Sequence, residues 1–260
     1  MVTGKIGKHT VEFFDGIDTL PITRFHRYQK ALLIDAGIGA DIQSFDQRIE
    51  RTRRFLMAGK NDKAQTELEN MRQCIFLIQQ DISPKHLAFA ALVWKIDGQI
   101  YDDMSDDGLR KVVAILSDGT NKEMTDQMDS VKKKIDNELT LYFPALFNQS
   151  DIKEYFDLMK KRTLAVLQNI IDGVPIPDGT VGVDKLTTEL ITYSNPKNFS
   201  GPEGLEIQYD RQFENLCLAL SSQLNILPKK CSVLEFYNAF DYLQQKAKRE
   251  ERETKARKGR

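Results

Sequence analysis

At 260 residues the chain is long enough to bury a core without disulfide or metal staples, as one large domain or two small ones. Its 37 basic and 38 acidic residues leave a formal net charge of −1, which excludes binding nucleic acid or membrane through bulk charge. Cys74, Cys217 and Cys231 are far apart, form no CxxC pair and, with only His9, His26 and His86 beside them, offer no zinc spacing. They read as small hydrophobes kept reduced. The opening MVTGKIGKHTVEFFDG lacks the apolar run of a signal peptide, and no stretch approaches the ~18 apolar residues of a membrane span. The expected location is a cytoplasm, or a particle assembled in one.

KHTVEFFDGIDTLPI alternates apolar and polar residues around Asp15-Gly16 and predicts a short hairpin. After Pro21, Thr23 is placed to cap a helix over RFHRYQKALLIDA that ends at Gly37 and Gly39. A second helix carries Ile42, Phe45, Ile49 and Leu56 on one stripe and stops at Gly59. In the next, Ala64, Leu68, Met71, Ile75, Ile78 and Ile82 recur at heptad spacing. The two form an antiparallel hairpin in which that seam is expected to be core.

Ser83 and Pro84 open a further helix, and Asp97-Gly98 between short apolar arms predicts a second hairpin. SDDGLRKVVAILSDG reads as a short helix. A capping box at Thr120 and Glu123 begins a helix with Met124, Met128, Val131, Ile135 and Leu139 on its apolar face, ended by Pro144. Another amphipathic helix presents Ile152, Phe156, Met159, Leu167 and Ile170. The Pro/Gly-rich VPIPDGTVGVD then either separates two helical parts or is a surface loop within one domain. KLTTELITY, YDRQFENLCLALSSQL and SVLEFYNAFDYLQQKAKRE are helical, the last with a capping box at Ser232 and Glu235 and an apolar face of Val233, Phe236, Phe240 and Leu243. The fold class is therefore mainly α: a multi-helix bundle with one or two small β-hairpins and a charged C-terminal helical tail. Its expected parts are a helical body over 1–172, a linker or loop at 173–183, a helical part over 184–245 and a basic tail over 246–260.

DMSDDGLRKVVA resembles the start of a calcium loop, with Asp103, Ser105 and Asp107 at alternate positions and Gly108 sixth. The bidentate carboxylate such a loop needs at position twelve is replaced by Ala114, and Lys111 stands at position nine. The better reading is a helix start, with Ser105 as cap and Asp106 and Asp107 in the first turn. No GxGxxG, phosphate loop, nucleophile elbow or Cys-His signature is present. No catalytic, cofactor-binding or metal-ligating residue is therefore named, and no cofactor is expected.

Two features point to partners. Phe236 and Phe240, widened by Tyr237, either dock on their own domain or meet another protein. The tail carries Lys246, Lys248, Arg249, Arg252, Lys255, Arg257, Lys258 and Arg260 against three acidic residues, so it is net +5 in a remainder of −6. It has no large apolar residue and buries no core face; alone it would be a frayed helix or a disordered arm. It is either a solvated helix end or an arm for an acidic protein or nucleic acid.

VEFFDGIDTLPITRFHRYQKALLIDAGIGADIQSFDQRIERTRRFL, the heptad helix after it, and the ending SVLEFYNAFDYLQQKAKREERETKARKGR together resemble small structural or assembly proteins of tailed bacteriophages, particularly those of gut Bacteroidales. The likeness is one of style over about half the chain and carries no functional residue across. It implies a non-enzymatic virion component of the tail, neck or capsid interior, whose partners are other virion or assembly proteins or further copies of itself. A tail-assembly chaperone absent from the finished particle, a nucleic-acid-binding accessory using the tail, and an enzyme with a dispersed site are the alternatives. The implied location is the virion, or the host cytoplasm during assembly, with no membrane partner.

Overall fold

The computed structural model describes residues 1–42, 45–117, 119, 121–147, 150–172, 181–193, 195–199 and 201–258, apart from the side chains of 121, 150–156, 181–184, 191–192, 253–254 and 256–258. Among these, helices dominate, with one small antiparallel sheet, as the periodicities predict.

The sheet has β1 (Val2–Ile6), β2 (His9–Phe13), β3 (Val93–Ile96) and β4 (Gln99–Ile100), in that spatial order. The first hairpin turns at Gly7 and Lys8, not at Asp15-Gly16. Gly7 takes φ 56°, as the tight two-residue turn demands. Asp15 lies beyond β2, where its carboxylate accepts from the Met1 amine at 2.7 Å and from Lys134 at 2.6 Å. The second hairpin turns where predicted, with Asp97 and Gly98 at φ 50° and 83°. Pairing of β2 with β3, Val11 opposite Ile96 and Glu12 opposite Lys95, fuses the two hairpins into one sheet.

The helices in chain order are α1 (Ile22–Gly37), α2 (Phe45–Met57), α3 (Asn61–Gln79), α4 (Pro84–Leu92), α5 (Asp106–Leu116) and α6 (Asn121–Tyr142). They continue with α7 (Pro144–Phe147), α8 (Ser150–Ile171), α9 (Val181–Tyr193), α10 (Leu205–Leu224) and α11 (Val233–Lys258). Thr23 does not cap α1; Pro21 stands at that position, with no side-chain bond. Pro144 ends α6 but also opens α7, because its fixed φ suits a first turn. The Thr120 end of the predicted capping box and most of the 173–183 stretch lie outside the described residues.

The main core gathers Phe13, Phe25, Tyr28, Phe89, Ile135 and Leu220 from the sheet and from α1, α4, α6 and α10. All five apolar residues predicted for α6 are buried in it. The C-terminal helices belong to this same core. Ile22 donates its N–H to the Cys231 carbonyl at 3.0 Å, Val233 to Leu20 at 2.9 Å, and Val233 and Phe236 are buried. Residues 205–243 thus pack into the N-terminal body. The capping box of α11 is formed reciprocally: Ser232 N–H donates to Glu235 at 2.8 Å, and Glu235 N–H to the Ser232 hydroxyl at 3.2 Å.

Outside this core α2 and α3 form the predicted antiparallel hairpin, but only part of its heptad seam is core: Ala64 is buried and Ile78 packs on a small cluster, whereas Leu68 and Ile75 face solvent. The residues that α3 buries are Ala64, Glu67, Asn70 and Cys74. Leu68 is 52% exposed and Ile75 44%. The hairpin closes through Phe55, Ala64 and Cys74 together with a charged contact. Glu67, buried, accepts from Arg48 at 3.4 Å and lies 3.8 Å from Arg51. Asn70 donates to the Lys197 carbonyl at 3.0 Å. Ile38, Cys74 and Phe199 make a small apolar knot beneath. Arg54 donates to Thr188 of α9, tying the α8–α9 pair to α2.

Candidate functional site

The densest titratable cluster joins α1 to α10. The His26 ring stacks on Tyr209 (centroids 4.7 Å) and on Phe213 (4.1 Å), and its Nε2 lies 2.9 Å from Asp210 Oδ1. Lys30, one turn along α1, donates to the same carboxylate at 2.7 Å. Burial opposes the charge of Asp210, but the hydrogen bonds from Lys30 and His26 outweigh it and hold that carboxyl below its usual range. Burial pushes His26 down despite Asp210. Among the described residues the imidazole's side-chain hydrogen-bond partner is Asp210. What it does is pin two helices.

Arg24 is the other deeply placed charge. It donates to the carbonyls of Val93 at 2.7 Å and Tyr101 at 2.5 Å, and to Asp102 at 2.8 Å. It is a structural bracket linking α1 to the second hairpin. In the calcium-like stretch, Ser105 accepts from the Gly108 N–H at 3.1 Å and the helix has already begun at Asp106. Positions seven to twelve are therefore helix, as the capping reading requires. Among the described residues no group of three or more His, Cys, Asp or Glu is placed to hold a metal ion.

The candidate partner residues divide. Phe236 is buried, and Tyr237 packs its ring on Phe25, Phe143 and Phe147. Phe240 is partly buried against the same core. These three serve internal docking, one of the two roles open to them. The tail cations lie on the distal half of α11, which stays helical to Lys258. Lys246, Lys248, Arg249, Arg252 and Lys255 are exposed. Lys255 pairs with Glu251 at 2.6 Å and Lys246 stands 3.9 Å from Glu250, both at i,i+4. At 100° per residue, Lys248, Arg249, Arg252 and Lys255 share one face. The side chains of Arg257 and Lys258, and all of Arg260, lie outside the described residues.

A surface that periodicity alone did not identify as one is the outer face of the α2–α3 hairpin. Ile49 is 55% exposed and Leu56 53%, matching Leu68 and Ile75 on α3. On each helix this stripe is turned about 100° from the buried side in the same rotational sense. Because the helices run antiparallel, equal turns bring both stripes to one side. The bonds of Arg48 and Arg51 to Glu67 set Ile49 level with Leu68. Ile49 and Leu68 thus stand side by side in solvent, with Leu56 and Ile75 about 10 Å to either side of them along the hairpin. A second exposed stripe, Leu164, Leu167 and Ile171, runs along α8 at spacings of three and four.

A groove of ≈ 380 Å³ lies between α1, α3, α4 and α5. Its floor is apolar, with Ala31, Ile34, Ile38, Leu77 and Leu87. Arg27, Lys30 and Arg110 stand at its rim with Asp106 and Glu206. Among the described residues no helix is long and apolar enough to cross a membrane. Comparison with protein-family models, curated proteins and solved structures returns no match.

Proposed function

We propose that this protein is a non-enzymatic structural or assembly protein that works through protein–protein contacts, with the outer face of the α2–α3 hairpin as its principal contact. The observation that carries the reading is the set of aliphatic side chains Ile49, Leu56, Leu68 and Ile75, left in solvent while Phe55, Ala64 and the Arg48–Glu67 contact take the inside of the hairpin. A partner that covers it must itself be helical and apolar at the same spacing. A second copy of the hairpin meets that requirement, closing a four-helix bundle about a two-fold axis. In the setting that the sequence resemblance implies, the assembly is a tailed-phage particle, with the chain as a virion component or a tail-assembly chaperone.

The test is site-specific photo-crosslinking from residue 68, with residue 133 on the exposed side of α6 as control. Discrete adducts from 68 and none from 133 are expected, and their mass spectra name the partner. A second copy or a protein of the same particle supports the reading. Equal or absent adducts from both positions contradict it.

The basic face of distal α11 favours a second reading, an arm that holds nucleic acid. Binding should then weaken steeply with salt and vanish on deletion of residues 246–260. Salt-insensitive binding, or none, removes this reading.

A further inference from the structure

The groove between α1, α3, α4 and α5 has a polarity that the hairpin face lacks. Along α1 its lining runs from Arg27 and Lys30 to Ile34 and Ile38. At 1.5 Å per residue this spans about 16 Å. Charge is confined to the Arg27 end, where Asp106 and Arg110 of α5 and Glu206 of α10 join it. The far end is dry, lined by Ile38, Phe76, Leu77 and Ile82. Phe76 is 56% exposed there, a large ring left half in water beside an open trough.

The charges at the polar end are unevenly matched. Arg27 is paired with Asp106. Lys30 is held by Asp210 at 2.7 Å and stands 3.7 Å from Glu206. Arg110 is exposed and has no hydrogen-bond or ion-pair partner among the described residues. The groove thus offers a planar, uncommitted guanidinium, two donors wide, at the head of an apolar trough. Its volume falls within the range of small-molecule sites.

We propose that this groove binds a single-headed anionic amphiphile, an alkyl carboxylate of medium chain length, with its carboxylate on Arg110 and its chain along Ile34, Ile38 and Phe76. Charge complementarity selects this occupant. An amphipathic protein helix with acidic flanks would need cations along both rims, whereas those lining the groove stand at one end. The basic tail of a second copy is a poor source of an anion for Arg110, the one cation of this end left unpaired among the described residues. The site is distinct from the hairpin face, so either can fail without the other.

The test is calorimetric titration of the full chain with decanoate below its micelle concentration, beside decyltrimethylammonium and hexanoate. One saturable decanoate site per chain is expected. The cationic amphiphile should bind at least about tenfold more weakly, as loss of a charge-assisted pair requires. Arg110→Glu should weaken decanoate to a similar degree, and Phe76→Ser should weaken it several-fold. Both positions are exposed, so circular dichroism and melting should match the parent chain. Hexanoate should bind more weakly than decanoate, because chain burial supplies the affinity. No saturable decanoate binding, equal binding of the cationic amphiphile, or unchanged affinity in Arg110→Glu overturns the proposal. So does selective binding of an acidic amphipathic peptide in place of decanoate.

Discussion

Arg24 shows how much one side chain organises. Its guanidinium is buried, and burial lowers its pKa although Asp102 opposes this. It satisfies the carbonyls of Val93 and Tyr101, at the two ends of the second hairpin. Arg24→Ala should strand those acceptors and cost about 3 kcal/mol in urea unfolding; a loss under about 1 kcal/mol would show that water replaces the guanidinium. His26 makes a pH-dependent contribution whose sign follows from its burial. Its folded pKa lies below the ordinary 6.5, so the unfolded chain takes up the proton first. Stability should therefore fall as pH drops through 6.5 toward the folded value. His86, also lowered chiefly by burial, acts in the same direction. Asp210, lowered, adds its loss only as pH approaches and passes below 3.8. Melting temperature against pH checks this: His26→Phe should keep the ring stack and flatten the slope between about pH 7 and 5. An unchanged slope would leave the effect to His86.

At the scale of elements, local signals and long-range placement part company. The Asp97-Gly98 turn, the Ser83 and Ser105 caps, the Ser232–Glu235 box and the buried face of α6 were all legible, because each is decided within a few residues. Ser232→Ala should accordingly cost about 1 kcal/mol. The α2–α3 seam was half legible: Ala64 and Ile78 pack inward, but Leu68 and Ile75 do not, because periodicity reports that a stripe is apolar, not what covers it. The partly exposed Arg48 and Arg51 meet the buried Glu67 on the inside of the hairpin, and no one-dimensional pattern marks them as partners. A comparison of truncations decides the point. Leu68→Ala should change the stability of the dilute chain by less than about 0.5 kcal/mol, whereas Ile135→Ala, fully buried in α6, should cost about 2–5 kcal/mol. Equal costs would restore the seam to the core. The joining of two hairpins into one sheet was equally invisible, since β2 and β3 pair across some eighty intervening residues. The groove is assembled from five helices and left no local trace. The tail is helical to Lys258, as the expected charged helical tail requires: the packed first half of α11 supplies the nucleus that an isolated segment lacks.

For the whole molecule, the packing separates one shared core from aliphatic faces left in solvent. The sheet, α1, α4–α6, α10 and the first half of α11 share one core. The α2–α3 pair and the α8 stripe hold exposed aliphatic faces outside it. The proposed occupant of the hairpin face is another helical surface, in the first instance a second copy. Sedimentation equilibrium of the parent chain and of an Ile49→Glu/Leu68→Glu double variant tests it most directly. The prediction is a concentration-dependent dimer or larger symmetric assembly for the parent. The variant should be a monomer of unchanged helical content, since both side chains lie outside the core. A parent chain that stays monomeric throughout, or a double variant that associates as strongly as the parent, would contradict it.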